Sequence, residues 1–136
     1  MLNDLGVAYR LCGDRATAER YHRDALRIMR EIGDRRGEAL VRNDLGTTLA
    51  AGGRSVEAGE QHTQALAIAR RIKHRYEEAR ALDALASGMR GTDPSQARSH
   101  WERCLTIRRD MGIPEAAAVA ARLAEMDAEQ AAGAHR

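Results

Sequence analysis

His22 and His62 stand 40 residues apart, and Cys12 and Cys104 are the only thiols of the chain. Residues of these types could build a metal site, but that needs several ligands close in sequence or converging from neighbouring elements. A repeat-spaced histidine pair suits packing between equivalent elements better than ligation. The cysteines form no CxxC spacing, so Cys104 reads as a small core residue and nothing points to an oxidising compartment. His74, His100 and His135 stand alone. Ala51-Gly52-Gly53-Arg54-Ser55 resembles the end of a phosphate-binding loop, yet the lysine is missing and no strand precedes it. Arg70, Arg71, Lys73 and Arg75 gather, as do Arg27 with Arg30 and Arg108 with Arg109, where helices are expected to end; the helix dipole favours cations there without a bound anion. With no Ser, His and Asp set and no spaced carboxylate pair, the chain is read as non-enzymatic, with no cofactor and no metal.

The 40-residue interval extends far beyond the histidines. Asn3-Asp4-Leu5-Gly6 returns as Asn43-Asp44-Leu45-Gly46, and Gly13, Ala18, Ala25-Leu26, Ile28 and Ile32 return as Gly53, Ala58, Ala65-Leu66, Ile68 and Ile72. A third copy is recognisable from Arg80, loses one residue at its turn, and carries Ala97, Trp101, Cys104-Leu105, Ile107 and Met111 at a step of 39. The copies span about 1–34, 35–74 and 75–111, which marks a repeat protein.

Apolar residues recur at three and four, as in Leu2, Leu5, Tyr9 and Leu26, Met29, Ile32, and no stretch alternates like a strand. Glycine stops and capped starts divide the chain into seven predicted helices: Met1 to Leu11, Asp14 to Ile32, Arg35 to Ala51, Ser55 to Lys73, Arg75 to Met89, Pro94 to Asp110 and Pro114 to Ala131. The clearest start is Asp93-Pro94-Ser95-Gln96, with a capping residue, a first-turn proline and a glutamine able to close a capping box. The last helix, 114–131, carries Val119, Leu123 and Met126 on one stripe and Glu125, Asp127 and Glu129 elsewhere, as a cap requires. The expected fold is all-α, a single domain over 1–136: three helical hairpins in an alpha-alpha superhelix plus a C-terminal capping helix. Aligned on the second copy, the first would begin before Met1, so the chain is expected to be a fragment of a longer array.

Composition agrees with close helix packing. Of the residues, 43% are hydrophobic, but there is no Phe, and a core poor in rings must rely on small side chains. The net charge is +2, with one lysine, Lys73, beside 21 arginines; the Arg and Ala bias is read as the codon signature of a GC-rich, bacterial genome. Both signs of charge are mixed along every helix, which argues against direct nucleic-acid binding. No apolar run approaches a membrane span, and Asn3 and Asp4 do not fit a signal peptide, so a cytoplasmic protein without membrane contact is expected.

Three positions in each copy hold only small residues: Gly6, Ala18, Ala25; Gly46, Ala58, Ala65; Ala86, Ala97, Cys104. With large residues at Leu5, Tyr9, Leu45, Leu49, Leu85 and Met89 and a ring at His22, His62 and Trp101, this pattern resembles the tetratricopeptide repeat over nearly all of 1–111. The unit exceeds the 34-residue form by six residues and is similar to the longer repeats of kinesin light chains and of the sensor arrays of bacterial signalling ATPases and transcription activators. Leu2 and Arg42 stand where the family often has Trp, and Asp4, Asp44 and Ala84 where many long-repeat members have Asn.

On the first helix of a unit, Leu2, Leu5, Gly6 and Tyr9 are expected on one side, leaving an opposite stripe of Asn3, Val7 and Arg10. Its equivalents are Asn43, Thr47, Ala50 and Asp83, Ser87, Arg90, with Asp4, Asp44 and Arg80 at the margin. The resemblance implies that this stripe lines a concave groove for a protein or peptide, or for another domain of the same parent chain. The function it implies is a protein-binding module in the regulatory or sensor part of a larger bacterial signalling or transcription-regulatory protein. The rival expectation is a scaffold that self-associates, for instance as a homodimer through its repeat ends, with the groove empty.

Overall fold

The computed structural model describes residues 1–134. Seven helices follow in order: α1 (Leu2–Leu11), α2 (Arg15–Ile32), α3 (Arg35–Ala51), α4 (Ser55–Ile72), α5 (Arg75–Met89), α6 (Pro94–Met111) and α7 (Ala116–Ala134). Among the described residues there is no strand. The first six start and stop within one residue of the predicted bounds because the signals are local. Asp14, Asp34 and Asp93 accept hydrogen bonds from the backbone N–H of Thr17, Gly37 and Gln96 at 3.1, 2.9 and 3.1 Å, satisfying donors that a helix start leaves free. Gly33 and Gly112 close α2 and α6 in the left-handed region, and Lys73 adopts the same conformation at the end of α4 with φ of 59°. α7 departs from expectation: the carbonyls of Ile113 and Pro114 accept from Ala116 and Ala117 in a tight turn, so the helix proper begins two residues after Pro114.

α1 pairs with α2, α3 with α4 and α5 with α6; α2 also packs on α3 and α4 on α5. The first helices touch directly, α1 with α3 and α3 with α5, and so form one continuous layer. All nine small positions are buried. A Cβ on Gly6 would lie 2.7 Å from His22 Cε1, and one on Gly46 would lie 2.5 Å from His62 Nε2; only a hydrogen there lets the ring cross the first helix.

The core is distributed between hairpins. One cluster joins Leu26, Val41, Leu45 and Leu49; the other joins Leu66, Leu82, Leu85, Trp101 and Ile107 with Val119 and Met126 of α7. Burial of each large aliphatic side chain stabilises by about 2 kcal/mol, and part of it comes from a neighbouring unit. The first copy lacks that cover. Leu45 and Leu49 are 0% and 2% exposed beneath α2, whereas the equivalent Leu5 and Tyr9 are 41% and 37% exposed, which corrects the expectation of one packed side on α1. Tyr9 stacks instead on Tyr21, with ring centroids 5.5 Å apart.

Candidate functional site

One hydrogen bond recurs in all three hairpins, between the third residue of the repeat on the first helix and the ring on the second. His22 Nδ1 lies 2.6 Å from Asn3 Oδ1, His62 Nδ1 lies 2.9 Å from Asn43 Oδ1, and Trp101 Nε1 donates to Asp83 Oδ1 at 3.0 Å. The asparagine amides are oriented by their other ends. Asn3 Nδ2 donates to Asp44 Oδ2 at 2.7 Å, and Asn43 Nδ2 donates to Glu77 Oε1 at 3.0 Å. Each Oδ1 is therefore left as an acceptor, Nδ1 of each histidine carries the proton, and Nε2 is an acceptor. His22 Nε2 accepts from the Thr48 hydroxyl at 3.1 Å.

These bonds join into a spine along the array. Arg80 on α5 donates to Asp44 at 2.6 Å and to Glu77 at 2.9 Å, so His22, Asn3, Asp44, Arg80, Glu77, Asn43 and His62 are linked across three hairpins. Burial holds both histidines neutral, His62 at about 4 with Arg80 adding to the effect, and His22 below its ordinary value.

The stripe expected to line a groove is therefore divided. Asn43 is 1% exposed and Asn3 is also buried; both are bound within the spine, which corrects their assignment as free contact residues. Polar type had suggested exposure, but the partner ring and the next hairpin enclose them. Asp44 and Arg80 are mutually paired. Asp83 accepts from Arg108 at 3.1 Å, Ser87 accepts from Arg122 at 3.1 Å, and Arg90 donates to Glu125 and Glu129 at 3.1 and 2.6 Å. The third-unit residues thus help dock α7, whose Glu125 and Glu129 pair with Arg90 while staying 61% and 67% exposed. Asp4 is open, with the terminal amine 4.0 Å away. Val7 and Arg10 lie half-buried on α1, and Arg10 Nε is a buried atom without a partner.

What stays open lies farther along the first helices. Thr47, Ala50 and Ser87 share a cavity of about 510 Å³ where α3, α4 and α5 meet, together with Gly59, His62 and Met89. Sequence reasoning placed Thr47 and Ser87 on the stripe but missed the recess behind them. Its signal was a difference between copies: Thr48 and Glu19 of one junction become Gly88 and Gly59 in the next.

Some of the basic residues gathered at helix ends are paired within the chain. Arg70 and Arg103 both approach Glu78 Oε2, at 3.5 and 3.3 Å, and Arg75 pairs with Asp110 at 3.2 Å. Cys104 is buried with its thiol pushed up to about 11 by that burial, while Cys12 is exposed. His135 lies outside the described residues. No helix among those described is long and apolar enough to cross a membrane.

The sequence profile of the family described as tetratricopeptide repeat matches residues 1–71, just over half of the chain. Among curated proteins, none matches.

Proposed function

The chain belongs to the tetratricopeptide repeat family, whose repeats mediate protein–protein interactions without chemistry of their own, and from that premise we propose that it holds a partner polypeptide against the layer formed by α1, α3 and α5. The observation that carries this reading is the cavity opening between α3, α4 and α5 beside Thr47 and Ser87. The exposed Ser87 hydroxyl can bond the main chain of an extended guest. The Thr47 hydroxyl, which donates to the Asn43 carbonyl at 3.0 Å, can still accept, and the recess takes one of the guest's side chains. Val7, Arg10, Thr47 and Ser87 are the contacts proposed; Asn3, Asn43, Asp44 and Arg80 hold the surface in shape, and Asp83 and Arg90 anchor the cap.

The finer reading is a regulatory or sensor segment of a cytoplasmic bacterial signalling or transcription-regulatory protein, binding a peptide or another domain of its parent chain. The Arg and Ala bias and the long repeat support it. The test is a heteronuclear titration with such peptides and domains. Saturable shifts at Val7, Thr47 and Ser87 support the module, and shifts absent from all of them reject it.

A second reading, self-association, is favoured by one observation: Leu5 and Tyr9 stay exposed where Leu45 and Leu49 are covered. Light scattering separates the two readings. Mass that rises with concentration, and falls back on Leu5→Glu, marks assembly through this flank.

A further inference from the structure

The second junction differs from the first by subtraction. At the first, the Thr48 hydroxyl satisfies His22 Nε2, and Glu19 receives a hydrogen bond from Arg54 at 2.7 Å; the recess left beside Thr48 is about 210 Å³. At the second, the equivalent positions are Gly88 and Gly59, Arg10 has become Ala50 and Arg15 has become Ser55. A Cβ built on Gly59 or Gly88 meets no atom within 4 Å. Steric need therefore does not call for glycine at either site, although glycine weakens a helix interior. The space they release is part of the 510 Å³ cavity.

One polar group that lines that cavity is left without a bond to the rest of the chain. His62 is 5% exposed and lines the cavity, its Nδ1–H is committed to Asn43, and Nε2 has no hydrogen-bond partner among the described residues. The bond made by Thr48 to His22 shows what this nitrogen takes, a donor. Around it stand Ala58, Leu85 and the thioether of Met89, surfaces suited to a flat apolar body.

We infer that the α3–α4–α5 cavity is a specific pocket for an aromatic side chain of a partner polypeptide that carries its own N–H or O–H donor, tryptophan above all, with that donor bonded to His62 Nε2. The inference rests on the interaction reading above and names the side chain that the partner must present. An indole ring fills the apolar recess and supplies the single donor that the site lacks. Leucine would fill space but leave Nε2 unpaired, and a charged residue would be desolvated against alanines.

The experiment uses N-acetyl-tryptophanamide, its 1-methylindole counterpart and peptides with and without tryptophan, titrated into the wild type and Gly88→Thr. In the wild type, the tryptophan amide gives saturable shifts at Gly59, Gly88 and Met89 and moves the His62 Nε2 resonance. The methylated ring binds about fivefold more weakly because its donor is gone. Gly88→Thr restores the hydroxyl found at the first junction, so it melts no lower than wild type and loses the tryptophan amide. Absence of saturable shifts, or equal binding by Gly88→Thr, overturns the pocket. Peptides that shift Thr47 and Ser87 alike in both proteins overturn the pocket and leave the interaction face standing. The amide held in a Gly88-dependent way, with no peptide bound, overturns the face and leaves the pocket.

Discussion

Arg80 on α5 lies 2.6 Å from Asp44 on α3, a charge pair that crosses from one hairpin to the next and shares its guanidinium with Glu77 at 2.9 Å. Both partners are mostly covered, with side chains 26% and 12% exposed. The pair therefore ties units together where solvent screens it little.

Arg80→Ala should cost about 2 to 3 kcal/mol, because it leaves Asp44 and Glu77 without their cation in a partly buried setting. Arg27→Ala, which removes only open pairs with Asp24 and Glu31 on its own helix, should barely move the urea midpoint. Equal losses in the two variants would mean that the covered pair has no special weight.

Acid should destabilise the fold through its buried histidines. His62 is neutral in the native state down to about 4, whereas an unfolded histidine takes a proton near 6.5. The unfolded chain therefore binds the extra proton first. Stability is complete above about pH 6.5 and declines toward about pH 4, by roughly 3 kcal/mol from His62 alone, with His22 acting in the same direction. Urea midpoints across this window check the sign. A midpoint that holds level or rises as pH falls would contradict it.

Ala65 is fully buried in α4, so Ala65→Leu should overpack the helix crossing and cost about 1 to 3 kcal/mol. Ala67, two residues on and exposed, is the control: Ala67→Leu should change stability by less than about 0.5 kcal/mol. Matched melting temperatures would show that the crossing is looser than its geometry.

Lys73 holds a left-handed conformation at a helix end where Gly33 and Gly112 do the same elsewhere. Lys73→Gly removes the Cβ strain and should stabilise by about 1 kcal/mol. A loss measured by calorimetry would mean that the lysine side chain contributes more than its backbone strain removes.

Helix bounds were legible because Asp14, Asp34, Asp93, Gly33 and Gly112 act within a few residues of themselves. The small positions were legible because repetition displayed them three times. Asn3 and Asn43 were misjudged for the opposite reason: their burial depends on partners 41 and 34 residues away, and a lone polar residue reads as surface. The cavity was hidden because it arises from side chains that are missing, Gly59 and Gly88, and a helical glycine has no local signature of what it leaves empty. α7 was read as a cap, but its arginine and glutamates reaching across to Ser87 and Arg90 required knowing which helix lay opposite.

The hydrogen-bonded line from His22 to His62 has a thermodynamic consequence. In a linear array, end-fraying is governed by the ratio of nearest-neighbour coupling to the intrinsic stability of each element. Bonds that exist only when two hairpins are docked raise the coupling alone, and they also fix the rotation of each hairpin on the last. Such an array should melt in one cooperative step, with directional polar bonds acting beside the apolar contacts to fix how each hairpin seats on the last.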